Sequence, residues 1–470
     1  LCAGLPLALA IAAARAQAAP LLQLSDLADQ LGAAQSTLDM LDGGDPASNL
    51  RAAFACSYQR LPVEDARMFR LLGLHPGLDI GVPAAASLTA MPRRRAQNIL
   101  GRLADANLVT EHLPGRYTMH DLLRSYAREQ AESEEGPDCR RATADRILDH
   151  YLHTSYEAML LISRLPPWPA PPAPEVGVVP EHITSRQSAL AWFEVEHQVL
   201  LGLLATAGDY DRPRHIWRIA AALGSSLLPK DRGHEAISVL TTGLQVAEAS
   251  NDRLGIAHLH LRLGRAQVGV RCFAAAEEVL DLALREFEEL GDLTGQGMCH
   301  QVLSLALELQ GRVGQALPHS QLALEMFRSA GAVSEEAGAL NGVGWLHMRT
   351  GDHQTGLTLC QQALALNTEL GFLIAQAETW DSIGYAYHHL GHHARALTCY
   401  RSALRLHRES GRMYYVAETL VHIGETHQAT GDLGSARQAW REALAILTQL
   451  EHPDARAVAA RLEPARATGR

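Results

Sequence analysis

Residues 351–391, GDHQTGLTLCQQALALNTELGFLIAQAETWDSIGYAYHHLG, decide the fold of the second half of the chain. The segment begins and ends on a glycine and has another, Gly371, at its centre. Glycine suits the end of a helix because it takes a positive φ without the steric cost of a Cβ. Such glycines recur every 40 residues in two sets, at Gly291, Gly331, Gly371 and Gly411 and at Gly311, Gly351, Gly391 and Gly431.

Small residues also recur with this period, at points where two helices of a pair would approach each other closely. The first helix has them at Gly224, Gly264, Ser304, Gly344, Gly384 and Gly424, and the second at Ala236, Ala276, Ala316, Gly356, Ala396 and Ala436. An Ala-Leu pair follows seven residues later in the last five copies. The pattern predicts one helical hairpin written six times, from about residue 211 to 450. An irregular helical bundle is the alternative interpretation.

This pattern resembles the tetratricopeptide repeat in its 40-residue form, with the small residues of that family kept and its usual proline absent. A single hairpin of this kind cannot bury its apolar face alone, so neighbouring hairpins share a continuous core and curve into a superhelix. The resemblance therefore implies a mostly α fold that ends in an α-solenoid with a concave groove.

The groove is the predicted binding site for a protein or peptide partner. Its candidate residues are those of each first helix that point away from the second helix. An aromatic side chain beside polar groups is a common anchor in peptide recognition. The alternative is that Trp345 and Tyr385 only pack between neighbouring repeats. The candidate partner-binding residues are Asn341, Trp345, Asp381, Tyr385, His388 and Glu425.

The first half of the chain follows a different pattern between Ser48 and Glu135. Three segments have apolar residues at helical spacing, and a fourth alternates like a β-hairpin with Pro114-Gly115 at its turn. Three helices and a two-stranded wing predict a winged-helix fold. Asp121 is well placed to cap the next helix. The four segments are SNLRAAFACSYQRL, VEDARMFRLLGLH, PRRRAQNILGRLADANL and LVTEHLPGRYTMH.

Two short motifs, GLPLAL at residues 4–9 and MHD at residues 119–121, resemble signatures of the NB-ARC nucleotide switches of the STAND class. The surrounding sequence is similar to the AfsR-type (SARP) transcriptional regulators of actinobacteria, over nearly the whole chain. The resemblance implies that Pro6 lies against the adenine and ribose of a bound nucleotide. It also implies that His120 reaches the β-phosphate of ADP and that Asp121 belongs to the switch. A helix N-terminus favours such an anion.

The sequence has no phosphate-binding loop, because Gly-x-x-x-x-Gly-Lys-Ser/Thr requires a lysine and the only one, Lys230, lies in LLPKDRG. We therefore expect no tight binding of ADP or ATP by this chain alone and no enzymatic activity. The resemblance assigns ADP/ATP binding to a longer parent, together with a DNA-binding domain, and allows oligomer formation on activation. Whether the parent is an ATPase stays open.

Two clusters of charged or polar residues have competing interpretations. Arg93, Arg94, Arg95 and Arg102 lie on or beside the helix that would enter a major groove, so residues 92–106 are a candidate DNA contact. The alternative is a solvent-exposed face of a regulatory lid. The histidines of HHLGHH, residues 388–393, straddle a predicted helix end without a carboxylate or thiolate, so we expect no metal site.

The composition of the chain indicates its compartment and the surfaces that it is not expected to bind. The formal net charge of −11 disfavours a surface that binds nucleic acid throughout, and seven scattered cysteines without a C-x-x-C suggest a reducing cytoplasm. The opening run LCAGLPLALAIAAARAQAAP is interrupted by Arg15 and is too short for the ~20 residues of a membrane span, so we expect no membrane association. We interpret this run as part of a longer parent rather than a leader.

These patterns divide the chain into five predicted parts. The working hypothesis is a nucleotide-dependent regulator of transcription, with a lid followed by a sensor. The alternative is a scaffold that collects partners without switching. The predicted parts are an NB-ARC helical remnant at 1–46, the winged helix at 47–135, a helical connector with a proline-rich linker at 136–207, the tetratricopeptide solenoid at 208–450 and a tail at 451–470.

Overall fold

The computed structural model describes residues 50–162, 168–228 and 232–462. The chain forms two compact units, the first ending at Arg262 and the second beginning at Leu263. Both units consist mainly of helices, as the sequence predicted. None of the described helices is long and apolar enough to cross a membrane.

The first unit begins with short helices and a small sheet. The described elements are α1 (Leu50–Tyr58), α2 (Val63–Leu72), β1 (Asp79–Gly81), α3 (Val82–Thr89), α4 (Arg93–Asp105), β2 (Thr110–Leu113), β3 (Arg116–Thr118), α5 (Asp121–Glu134), α6 (Pro137–Ile162), α7 (Arg186–Val195), α8 (His197–Ala205), a 3₁₀ turn (Ala207–Asp209), α9 (Pro213–Leu227) and α10 (Gly233–Ala249).

Residues 63–118 form what we call the three-helix module, in which α2, α3 and α4 pack beside a three-stranded antiparallel sheet. The strand order is β1-β3-β2, with Ile80 and Glu111 on either side of Tyr117. Phe69 and Leu100 are fully buried in its core. Sequence analysis predicted α2, α4 and the hairpin of β2 and β3, but missed β1 and α3.

The described part of the proline-rich segment, residues 168–182, packs along α6. The backbone N–H of Glu175 donates to Asp149 at 2.7 Å, and that of Val179 donates to Ser87 Oγ at 2.8 Å. Trp168 is buried, with its ring centre 6.1 Å from that of Trp217 on α9. Side-chain contacts thus join this segment to the three-helix module and to the first repeat helix.

The second unit consists of helix pairs, each about 17 residues per helix. Its pairs repeat with the predicted 40-residue period, so the predicted helical repeats are confirmed. The helices are α11 (Arg253–Gly269), within which the two units divide, α12 (Phe273–Leu290), α13 (Leu293–Leu309), α14 (Val313–Ala330), α15 (Val333–Arg349), α16 (His353–Glu369), α17 (Leu373–His389), α18 (His393–Glu409), α19 (Met413–Ala429), α20 (Leu433–Gln449) and α21 (Ala455–Leu462).

The small residues of the pattern lie where paired helices touch. A Cβ placed on Gly344 of α15 would lie 2.9 Å from the carbonyl oxygen of Gly356 on α16 and 2.7 Å from Cys360 Sγ. Alanines of the Ala-Leu pairs, such as Ala363 and Ala443, are fully buried. Close contact between paired helices therefore explains the 40-residue spacing of these small residues, whether the neighbour is backbone, as at Gly344, or a side chain, as at Gly384 beside Tyr400.

Candidate functional site

An open groove of about 660 Å³ lies on the first helices of three consecutive repeats in the second unit. Each helix contributes side chains one, four or five positions after its small residue, and α19 also contributes His422, two positions before Gly424, because these positions share one helical face. The lining residues are Trp345 and Arg349 on α15, Tyr385, His388 and His389 on α17, and His422, Glu425, Gln428 and Ala429 on α19.

The floor of the groove is aromatic. The ring centres of Trp345 and Tyr385 are 5.0 Å apart at a tilt of 58°, and the ring of His389 lies 4.3 Å from Tyr385. Trp345 Nε1 donates to Glu308 Oε1 at 2.7 Å, which fixes the orientation of the indole. Burial raises the pKa of Tyr385, so its hydroxyl stays neutral at physiological pH. The floor is thus a rigid surface with a polar edge.

A largely buried ion pair lies beside this floor. His422 Nδ1 is 2.9 Å from Asp381 Oδ2, and the two side chains are 14% and 15% exposed. Burial lowers the pKa of His422, but the Asp381 carboxylate together with Glu418 and Glu425 outweighs burial and raises that pKa to about 9. The imidazole of His422 is therefore protonated at neutral pH.

The other two histidines of the groove have the opposite character. Burial and the neighbouring rings of His389 and His393 lower the pKa of His388. Burial and the ring of His353 likewise lower the pKa of His389. His388 Nδ1 lies 2.9 Å from Thr426 Oγ1. These two histidines are neutral at physiological pH, so they add hydrogen-bonding capacity and aromatic surface but no charge.

Charged residues at the ends of the groove are held by partners. The Arg349 guanidinium lies 5.9 Å from the centre of the Trp345 ring and 3.5 Å from Glu308. Glu425 is paired with Arg461 on the terminal helix α21. The groove therefore has an aromatic centre lined by two cations, Arg349 and the protonated His422, while Arg461 pairs with the lining residue Glu425.

Comparisons with known proteins agree with the repeat pattern. Two family models of the tetratricopeptide repeat match residues 335–409 and 416–454. The regulatory protein AfsR of Streptomyces griseus is 31% identical over 383 residues, which are 78% of this chain and 37% of the relative. AfsR of Streptomyces coelicolor is 28% identical over 381 residues, or 79% of this chain and 37% of the relative.

The chain is an AfsR-like protein with tetratricopeptide repeats. It spans a little over a third of the length of these two relatives, 37% of each. A solved structure of a STAND protein with a tetratricopeptide repeat sensor from Pyrococcus horikoshii is 16% identical, with a TM-score of 0.48, and the match covers 96% of this chain and 68% of that one.

The groove of the AfsR-like chain brings together four of the six predicted partner-binding residues, namely Trp345, Tyr385, His388 and Glu425. The other two do not line it. Asp381 lies behind His422, and the Asn341 carbonyl accepts a weak hydrogen bond from Cys360 Sγ at 3.9 Å. Trp345 and Tyr385 also pack between repeats, as the alternative interpretation had it.

Five groove residues were not predicted from the sequence, namely Arg349, His389, His422, Gln428 and Ala429. Arg349 and His389 lie four positions after Trp345 and Tyr385, so helical spacing alone could have placed them on the same face. His422 was missed because it lies two residues before the small residue Gly424, a position from which no candidate was taken in the other repeats. Their spacing could have predicted the pair of Asp381 and His422, since the two residues are one repeat plus one residue apart.

The predicted nucleotide-binding residues fall in two places. Pro6 lies outside the described residues. His120 is half-buried between β3 and α5, and its Nδ1 accepts a hydrogen bond from the backbone N–H of Leu122 at 3.3 Å. His120 is therefore the N-cap of α5, and the prediction that Asp121 caps this helix is wrong. Asp121 is already the first helical residue, where its carboxylate interacts with the helix dipole.

The four arginines proposed for DNA contact have different surroundings. Arg102 donates two hydrogen bonds, at 2.8 and 2.6 Å, to the buried carboxylate of Asp65. Arg95 pairs with Glu64. Arg93 and Arg94 are exposed. Two of the four arginines therefore join α4 to α2, and DNA contact by residues 92–106 stays a prediction.

Proposed function

We propose that the AfsR-like chain is the lid and sensor portion of a cytoplasmic, ADP/ATP-dependent STAND switch that controls transcription, and that its groove binds a protein or peptide. The observation that carries the binding proposal is the groove itself. Three successive repeats place aromatic, cationic and hydrogen-bonding groups on one open surface. Such surfaces recognise a segment of a partner by a few aromatic anchors.

The floor favours a partner with an apolar or aromatic side chain. Trp345 and Tyr385 are half-buried and held in place, so little side-chain entropy is lost when a ligand packs on them. Gln428 and His388 offer hydrogen bonds along the same surface. These features suit an extended or helical peptide better than a small compact ligand, because the groove is open along its length.

The switch proposal rests on the sequence motifs and on the named relatives, which are regulatory proteins. In this proposal residues 47–135 are a winged-helix lid, His120 contacts the nucleotide β-phosphate, and Pro6 contacts the adenosine. ADP or ATP would bind only with the NB-ARC half of the parent. DNA binding would belong to another part of that parent, which would form oligomers on activation.

The peptide proposal can be tested with the full chain and a random nonapeptide library displayed on phage. Affinities of the selected peptides would be measured by fluorescence anisotropy. Tyr385→Ala should weaken them about tenfold or more, because loss of an aromatic anchor costs about 2 kcal/mol. Tyr387→Ala is the matched control, since Tyr387 is also half-buried on α17 but does not line the groove. Equal losses in both variants would refute the assignment.

A further inference from the structure

We propose that the groove recognises a peptide segment carrying acidic side chains, and that His422 is the residue that binds one of their carboxylates. This inference rests on the proposed peptide binding and adds the chemistry of the ligand. The carboxylate would accept a hydrogen bond from His422 Nε2. The occupant is an extended internal segment of a protein partner with two or more Asp or Glu side chains.

The geometry of the Asp381–His422 pair leaves one ring nitrogen for the ligand. Nδ1 faces Asp381 at 2.9 Å, so Nε2 is the nitrogen that can serve a molecule in the groove. The ring is held between Tyr385 and Tyr400, with ring centres 5.8 and 5.6 Å away. A ligand carboxylate at Nε2 would complete a carboxylate–imidazolium–carboxylate arrangement in a fixed orientation. Charge-assisted bonds of this kind are stronger than neutral ones.

Charges around His422 keep it available as a donor. Asp381, Glu418 and Glu425 face it, and all three favour its protonated form. Tyr385 and Tyr400 both have raised pKa values because they are buried, so neither hydroxyl adds negative charge near pH 7. Of the three carboxylates only Glu425 lines the groove, and Arg461 pairs with it.

The spread of positive charge favours acidic side chains over a single terminal carboxylate. Arg349 lies on α15, two repeats before His422 on α19, and Arg461 lies on α21. Arg349 and Arg461 are each 39% exposed, more than the carboxylates that pair with them. Two carboxylates along an extended segment can therefore meet the two cations that line the groove, Arg349 and His422, whereas one chain terminus would meet one.

The phage library tests directly whether acidic side chains are recognised, because peptides fused through their C-terminus to the coat protein have no free terminal carboxylate. Wild-type chain should enrich sequences with at least two Asp or Glu residues. His422→Gln should weaken a selected peptide about tenfold, and should have no effect on the same peptide with the acidic residue changed to Gln. His427→Gln is the matched control. It lies on the same helix and pairs with Asp432 at 3.4 Å, outside the groove.

The pH dependence of peptide affinity distinguishes direct recognition by His422 from a role of His422 in maintaining the fold. Affinity of wild type for the acidic peptide should fall as pH rises through about 9, where His422 loses its proton. Asp381→Asn should move that fall to lower pH, because the interaction with Asp381 is removed while those with Glu418 and Glu425 remain. Binding by this variant at pH 5.5 should therefore recover, which a variant with a damaged fold would not show.

Four outcomes decide the matter. Acidic enrichment that depends on His422 but not on His427 supports the inference. Selected peptides without acidic residues that still need Tyr385 would overturn the inference and leave peptide binding standing. Peptides that bind equally well to Tyr385→Ala, or no enrichment at all, would remove the proposed groove function and the inference with it. A synthetic peptide that loses affinity only when its C-terminus is amidated would also overturn it.

Discussion

Two glycines on the same helix should respond in opposite ways to the same substitution. Gly338 and Gly344 both lie within α15. A Cβ at Gly338 has no described atom within 4 Å, so Gly338→Ala should only reduce the freedom of the unfolded chain. In a helix interior this change raises the free energy of unfolding by about 0.5–1 kcal/mol.

Gly344→Ala should gain the same stability from the reduced freedom of the unfolded chain, but it also places a methyl group against the backbone of α16. The new Cβ would lie 2.9 Å from the Gly356 carbonyl oxygen and 2.7 Å from Cys360 Sγ. Neither neighbour moves easily, because the oxygen belongs to helix α16 and Cys360 is fully buried. Overpacking of this kind costs about 1–3 kcal/mol, so the net effect should be a destabilisation of about 1–2 kcal/mol.

Urea unfolding followed by circular dichroism at 222 nm measures both variants. The two free energies of unfolding should differ by about 1.5–3 kcal/mol, with changes of opposite sign relative to wild type. The double variant Gly344→Ala with Cys360→Ala should lose less than the sum of the single changes, since the sulfur no longer obstructs the methyl group. Equal stabilisation by Gly338→Ala and Gly344→Ala would show that α15 and α16 do not pack as described.

Two further predictions concern the first unit. Arg102→Ala should lower the free energy of unfolding by about 2–4 kcal/mol in a urea titration because it leaves the carboxylate of Asp65, 1% exposed, without its guanidinium. Arg94→Ala, at an exposed position of the same helix, should change that free energy by less than about 0.5 kcal/mol. Similar values for both would contradict the buried pair. In the full-length protein, His120→Ala should speed release of fluorescent ADP in a stopped-flow chase, and an unchanged release rate would count against its proposed contact with the β-phosphate.

The sequence predicted the repeats well because the spacing of small residues follows from the close packing of paired helices. Positions such as Gly344 and Ala363 tolerate only small side chains where helices meet, so the period is visible without knowledge of the fold. Helix α3 shows no such periodic pattern in the sequence. All of its residues are buried, so VPAAASLT has no polar face and no amphipathic period. Strand β1 is only three residues long.

The sequence predicted four of the residues that line the groove, but it did not predict the charge of His422. Trp345 and Tyr385 were found because their positions follow from helical geometry. The protonated state of His422 depends on Asp381 in the preceding repeat, and such a pair becomes visible only when helices are stacked in register. Residues that act across repeats are therefore harder to predict from sequence than those that share one helix.

The anchoring of the proline-rich segment limits how the protein can be divided for study. A recombinant piece starting after residue 185 would lack Trp168, which covers the buried indole of Trp217. It would also lack Asp149, which lies 3.3 Å from His215 on α9. We expect such a piece to expose an apolar surface and to aggregate on expression, while one that begins before Pro137 keeps the first repeat covered.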